Sequence, residues 1–126
     1  MKTVEIPRKD WTGTLNEFSL MHEGWLVSID VLGASIGALP EVHDLPLVGI
    51  TAEPGTGGTI SIAVARSAGD HLTHTVHRVG HVWIERTDEG ADVALEIEAA
   101  DGTKTILRFR TVALPHTVDG VVRSRA

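Results

Sequence analysis

Two short turns, Asp88-Glu89-Gly90 and Ala100-Asp101-Gly102, cut the stretch from His81 to Arg110 into three strands. No other feature narrows the fold as far, because a hairpin turn fixes which side chains stand opposite each other. A two-residue loop at Asp101-Gly102 sets Leu95 against Arg108 and Glu96 against Leu107, mixing apolar and charged faces. A three-residue loop, Ala100-Asp101-Gly102, instead sets Leu95 against Leu107, Val93 against Phe109 and Ile97 against Thr105. On the other face Glu98 then meets Lys104, and Glu96 lies diagonal to Lys104 and Arg108. The three-residue loop is therefore expected, with Gly102 in the left-handed position where glycine carries no steric penalty. At the first turn a four-residue loop ending at Ala91 is preferred, placing Val82 and Ile84 beside Ile97 and Leu95. That register leaves Trp83 on the outer face, among Glu85 and Glu96.

Upstream, the spacing predicts one helix and four more strands. Trp11, Leu15, Phe18 and Met21/His22 recur at helical intervals and form one apolar stripe. Pro7 precedes the helix, Asp10 suits its first turn, and Gly24 suits a left-handed cap. The period then changes to two: Trp25, Val27, Ile29 and Val31 alternate with Leu26, Ser28, Asp30 and Leu32. Gly33 to Gly37 turns the chain, and Leu47 to Ala52 is expected as the second strand, with Pro46 at its start or on an edge. Ile60, Ile62 and Val64 mark a third strand, and Leu72 to Val76 a shorter fourth. Beyond Arg110 the pattern fades.

A chain of 126 residues is one domain, able to bury about two-thirds of its extended surface. Without cysteine it has no disulfide, thiol nucleophile or thiolate zinc site. No apolar run resembles a signal peptide or a membrane span, so a cytoplasmic protein without a membrane partner is expected. Charge is uneven. Residues 1–103 carry six Lys/Arg against sixteen Asp/Glu, whereas residues 104–126 carry five against one. An acidic body repels a phosphate backbone, which makes nucleic acid an unfavourable partner. Contact through Lys104, Arg108, Arg110, Arg123 and Arg125 is the alternative the basic end keeps open.

Candidate chemistry is sparse. Gly33-Ala34-Ser35-Ile36-Gly37 matches the nucleophile-elbow pattern, but Pro40 follows too soon for the helix that motif needs. Gly55-Thr56-Gly57-Gly58-Thr59 leads into a strand and brings no lysine, so it reads as a turn and not a phosphate cradle. Among seven histidines, His71, His74, His77 and His81 would share a face only in a helix, and the β-branched residues around them argue for strand. In a strand His71 and His77 share a face about 20 Å apart, while His74 points the other way. His71 and His74 are the residues a metal site would use, completed from elsewhere, with Asp70 or His43 as candidates. Trp83 and Ile106, large apolar residues on an outer face, are the candidate interaction surface.

Several short blocks carry a resemblance: His22-Glu23-Gly24-Trp25-Leu26-Val27, Leu45-Pro46-Leu47-Val48-Gly49-Ile50-Thr51, Asp70-His71-Leu72-Thr73-His74, and Glu85-Arg86-Thr87-Asp88-Glu89-Gly90-Ala91-Asp92. Together with Ile6-Pro7-Arg8 and Trp11, they resemble a small uncharacterised bacterial domain-of-unknown-function family over about residues 4–110. The resemblance implies a stand-alone bacterial domain. It brings no activity, ligand or catalytic residue.

The fold expected is α+β: an N-terminal helix packed on a strongly twisted, mainly antiparallel sheet of about seven strands, with curling into a small barrel as a variant. Residues 1–110 would form the single domain and residues 111–126 a C-terminal extension, disordered or docked on a partner. The function expected is a non-catalytic, self-associating interaction module, a homo-oligomer with no cofactor and no catalytic residue. A histidine-based metal- or small-ligand-binding protein is the alternative from a different class.

Overall fold

The computed structural model describes residues 1–53, 55 and 57–110. The chain runs β1 (Lys2–Glu5), a 3-10 turn (Arg8–Asp10), α1 (Trp11–Met21), β2 (Leu26–Gly33), β3 (Gly37–Glu53) and β4 (Thr59–Ser67). It continues through β5 (Asp70–His77), β6 (Val79–Arg86), β7 (Asp92–Ala99) and β8 (Lys104–Phe109). The eight strands form one antiparallel sheet in the order β1-β6-β7-β8-β2-β3-β4-β5. Among the described residues the one α-helix packs on β3.

The helix forms where the apolar stripe lies. Trp11, Leu15 and Phe18 are buried on it, and His22 continues the stripe one residue past its end. Met21, the other candidate for that place, is exposed. Gly24 adopts φ +85°, the left-handed turn that ends the helix. Its N–H then donates to the Leu47 carbonyl at 2.8 Å, steering the chain straight into the sheet. Ser19 fastens the helix further along β3. Its hydroxyl accepts the Ile50 N–H at 2.7 Å and donates to the Leu15 carbonyl at 2.7 Å. Ser19→Ala is expected to cost about 1–3 kcal/mol, because it leaves a buried N–H without an acceptor; chemical denaturation measures it, and a change under 0.5 kcal/mol would show the N–H to be solvated.

The three-strand ladder has the expected register. Val82 stands opposite Ile97, Ile84 opposite Leu95, Leu95 opposite Leu107, Ile97 opposite Thr105 and Glu98 opposite Lys104. Gly102 takes φ +89°, and its N–H returns to the Ala99 carbonyl at 2.9 Å. Alternation along β2, β4, β6, β7 and β8 then builds one core from Val27, Ile29, Ile60, Ile62, Val82, Ile84, Leu95, Ile97 and Leu107.

The expected α+β fold, an N-terminal helix on a mainly antiparallel sheet, is the one adopted, and the structure adds three details. The sheet of about seven strands has eight among the described residues, because Lys2–Glu5 pairs with β6. Every residue of β1 is exposed, so no alternation in the sequence signals it. The second strand is not Leu47–Ala52 alone: β3 runs unbroken for 17 residues through Pro40 and Pro46. Its first part pairs with β2 and its second part, from Leu47, with β4. The prolines are tolerated because they fall where β3 has a strand on one side only. Finally, the sheet curls without closing. The bent β3 carries β4 and β5 back over the inner face, bringing His74 Nε2 to 3.4 Å from Thr105 Oγ1 on β8. Yet β1 and β5 remain at opposite ends of the strand order, so the barrel variant is not adopted. The expected extension, residues 111–126, lies outside the described residues.

Candidate functional site

The histidine-bearing segment folds as β5, the last strand of the sheet. It spans Asp70–His77, longer than the Leu72–Val76 read from the sequence. Alternation splits its side chains cleanly: His71, Thr73, Thr75 and His77 are exposed, while Leu72, His74 and Val76 turn inward. His71 and His74 therefore sit on opposite faces, and the structure does not bring them together. His74 is half-buried beside Thr105. Burial lowers the pKa of its imidazole, against a smaller raising influence from the Glu41 charge. Asp70 is engaged by Arg66 Nε at 3.0 Å, and His43 is exposed on β3 beside Asp44. Among the described residues no three His, Asp or Glu side chains converge as a metal would require.

What the structure adds is position. Among the described residues β5 has a strand partner, β4, on one side only. Its outward row is hydroxyl-rich, with Ser61 Oγ of β4 3.2 Å from Thr75 Oγ1. The segment His71–His77 holds no Lys, Arg, Asp, Glu or Pro. Those are the residues with which proteins usually guard an exposed edge. At the other end β1 is only four residues long and carries Lys2 and Glu5.

Trp83 and Ile106 do share the outer face. Trp83 pairs with Glu96, and Glu96 pairs with Ile106, so one carboxylate lies between them. The Trp83 side chain does not stand free. His81 stacks on the Trp83 ring with centroids 5.3 Å apart, and Lys104 Nζ lies 5.6 Å from that ring. His81 Nδ1 in turn meets Glu5 Oε2 at 2.7 Å. The described residues of the basic end are paired within the chain: Arg108 with Asp30 and Arg110 with Asp44, while Lys104 faces Glu98. Arg123 and Arg125 lie outside the described residues.

A polar cluster in the core escaped the sequence reading. His22 is 2% exposed, with Nδ1 2.7 Å from the Phe18 carbonyl and Nε2 3.3 Å from Asp92 Oδ2. A carbonyl only accepts, so Nδ1 carries the hydrogen it donates. Asp92 is itself buried, and its Oδ1 accepts Arg86 Nε at 2.8 Å. Burial pushes the Asp92 carboxyl up, but hydrogen bonds from His22 and Arg86 and their charges outweigh it, holding it below its ordinary value. Phe109 stacks on the His22 ring at 4.5 Å, and Trp25 closes its edge at 4.6 Å. This arrangement ties the end of α1 to the β6–β7 hairpin. The signal available was that His22 occupies an apolar-stripe position, two residues before a left-handed glycine.

Ser35 sits exposed in the tight turn from β2 to β3, with no helix behind it. A shallow cleft of about 220 Å³ between α1 and β3 is lined by Thr12, Gly13, Asn16, Ile50, Thr51 and Ala52. It contains no titratable group, so it offers neither acid nor base.

A family described as "Family of unknown function (DUF5335)" matches residues 2–117. An uncharacterized protein of Aquifex aeolicus (strain VF5) is 27% identical over 116 residues, covering 91% of this chain and 99% of that protein. No solved structure matches significantly.

Proposed function

We propose that this chain, which belongs to the DUF5335 family of unknown function, is a non-catalytic interaction module that self-associates through the free edge of β5. The observation that carries this is the edge of β5, which among the described residues has a strand neighbour on one side only and carries no Lys, Arg, Asp, Glu or Pro from His71 to His77. A strand with one neighbour presents a row of unpaired N–H and C=O groups to any strand laid beside it. Added strands of this kind gain affinity from main-chain hydrogen bonds and specificity from alternate side chains. The contrast with β1, short and charged, favours β5 as the docking end. The segment His71–His77 brings no Lys, Arg, Asp or Glu to the seam, so a second copy meets little like-charge repulsion.

Thr75 points outward and away from the core, which makes it the position for a test. Sedimentation of the full chain should show a reversible dimer in the micromolar range. Thr75→Lys should convert it to a monomer with an unchanged circular dichroism spectrum. A wild-type chain that stays monomeric across that range ends the proposal. So does a dimer that ignores Thr75→Lys, and a dimer broken by Trp83→Ala alone would move the contact to the Trp83–Ile106 face.

A further inference from the structure

We propose that two copies joined along β5 create a pair of cross-copy bis-histidine sites for a borderline divalent metal ion such as zinc, nickel or copper. Each site is formed by His71 and the partner's His77. The inference rests on the edge pairing just proposed and deepens it.

The argument begins with the order of residues in the strand, His71-Leu72-Thr73-His74-Thr75-Val76-His77. Read in either direction the sequence of types is the same: histidine, aliphatic, threonine, histidine, threonine, aliphatic, histidine. Antiparallel pairing about a two-fold axis reverses one copy against the other. Centred on His74, it sets His71 against the partner's His77, Leu72 against the partner's Val76 and Thr73 against the partner's Thr75. Asp70 then comes level with the partner's Arg78, adding an opposite charge at each end. Centring the axis on Thr73 would set His77 against the partner's Gly69, and centring it on Thr75 would set His71 against the partner's Val79. Of the three, only the register through His74 pairs the whole of His71–His77 with itself and matches each of those side chains with its like.

Residues directly opposite in an antiparallel pair point to the same face, with Cβ atoms about 4.5–5.5 Å apart. His71 and His77 are both on the exposed face of β5, so the two imidazoles can close on one ion. Their neighbours on β4 leave room. His71 lies beside Ala65 and His77 beside Thr59, with no charged side chain in either place. Within a single copy the same two histidines are about 20 Å apart along the strand, too far to share an ion. The chemistry is selective, because neutral imidazoles suit zinc, nickel and copper, whereas calcium and magnesium ask for oxygen ligands. Water would fill the remaining coordination positions. The half-buried His74 pair at the axis faces the other side of the sheet and takes no part.

Because the sites exist only in the pair, an ion that binds there must favour association. The test uses untagged full-length chain, stripped with a chelator, and zinc chloride as the probe. Sedimentation should show the dimer dissociation constant falling by about tenfold or more on adding zinc, with magnesium chloride inert. Titration should approach one zinc per chain. His71→Ala and His77→Ala, each alone, should keep the zinc-free dimer and lose the zinc response. Mixing the two variants should restore it at half the stoichiometry, since one complete site reappears in the mixed pair. If the wild type dimerises and zinc changes nothing, or if either single variant keeps the full response, the metal inference is wrong while the edge pairing stands. If the wild type is monomeric with and without zinc, the edge pairing fails first and takes the metal site with it.

Discussion

Asp92→Ala should destabilise the fold by about 3–5 kcal/mol, a large share of the roughly 5–15 kcal/mol that holds a domain of this size together. The reason is asymmetry in what is left behind. Asp92 receives Arg86 at 2.8 Å and faces His22 at 3.3 Å, and removing it leaves the buried His22 without that partner among Phe18, Trp25 and Phe109, while the partly exposed Arg86 can turn to water. His22→Phe should cost less, because Asp92 keeps its partner Arg86 and the new ring fits the aromatic cluster. Urea denaturation followed by tryptophan fluorescence reads both, since Trp25 lies 4.6 Å from the His22 ring. An Asp92→Ala loss under 1 kcal/mol would mean that water reaches the cluster and the pairing contributes little.

The same cluster makes a pH prediction with a definite sign. The folded Asp92 carboxyl lies below its ordinary value: burial raises it, and the His22 and Arg86 hydrogen bonds and charges together outweigh that burial. The unfolded chain therefore takes up the proton first, at about pH 3.9. Asp92's contribution is complete above that pH and disappears as the pH falls through the lower folded value. The gap between wild type and Asp92→Asn should narrow as the pH falls below about 4. A gap that widens on acidification would reverse the assignment.

What the sequence disclosed and what it hid follow from the range of the interactions involved. The ladder from β6 to β8 was legible because its turns are short and its two faces differ in polarity, so local pairing decided the register. The α1 stripe was legible for the same kind of reason. β3 was not, because Pro40 and Pro46 look like breaks until it is known that β3 there has a single neighbour. β1 was hidden because all four of its residues are exposed and only β6, far along the chain, gives it a reason to exist. At the candidate site, alternation placed His71 and His74 on opposite faces, as the structure has them. It did not tell that β5 would end the sheet, which depends on how β3 bends. His22 and Asp92 read as an apolar-stripe position and a turn flank, since only tertiary packing brings them together.

Trp11→Ala should be comparably costly, at about 3–5 kcal/mol, but with a more local signature. Trp11 is 1% exposed at the start of α1, and its Nε1–H donates to the Ile6 carbonyl at 3.0 Å. The Arg8 guanidinium lies 4.9 Å from the ring centroid and donates to the Gly55 carbonyl at 3.0 Å. The ring also lies against Gly58, which has φ +66°; a Cβ added there would come within 3.3 Å of Trp11 Cζ3. Gly58 in turn accepts the Val79 N–H at 3.1 Å, at the start of β6. One side chain thus joins the helix start, the glycine turn before β4 and the first residue of β6. Trp11→Phe keeps most of the apolar contact and loses only the bond to Ile6, so it should cost about 1–3 kcal/mol. Hydrogen exchange separates a general loss from a local one: in Trp11→Ala the Val79 amide should lose protection before the amides of β7 and β8. Equal loss across all three strands would show that Trp11 supports the core as a whole and not this corner of it.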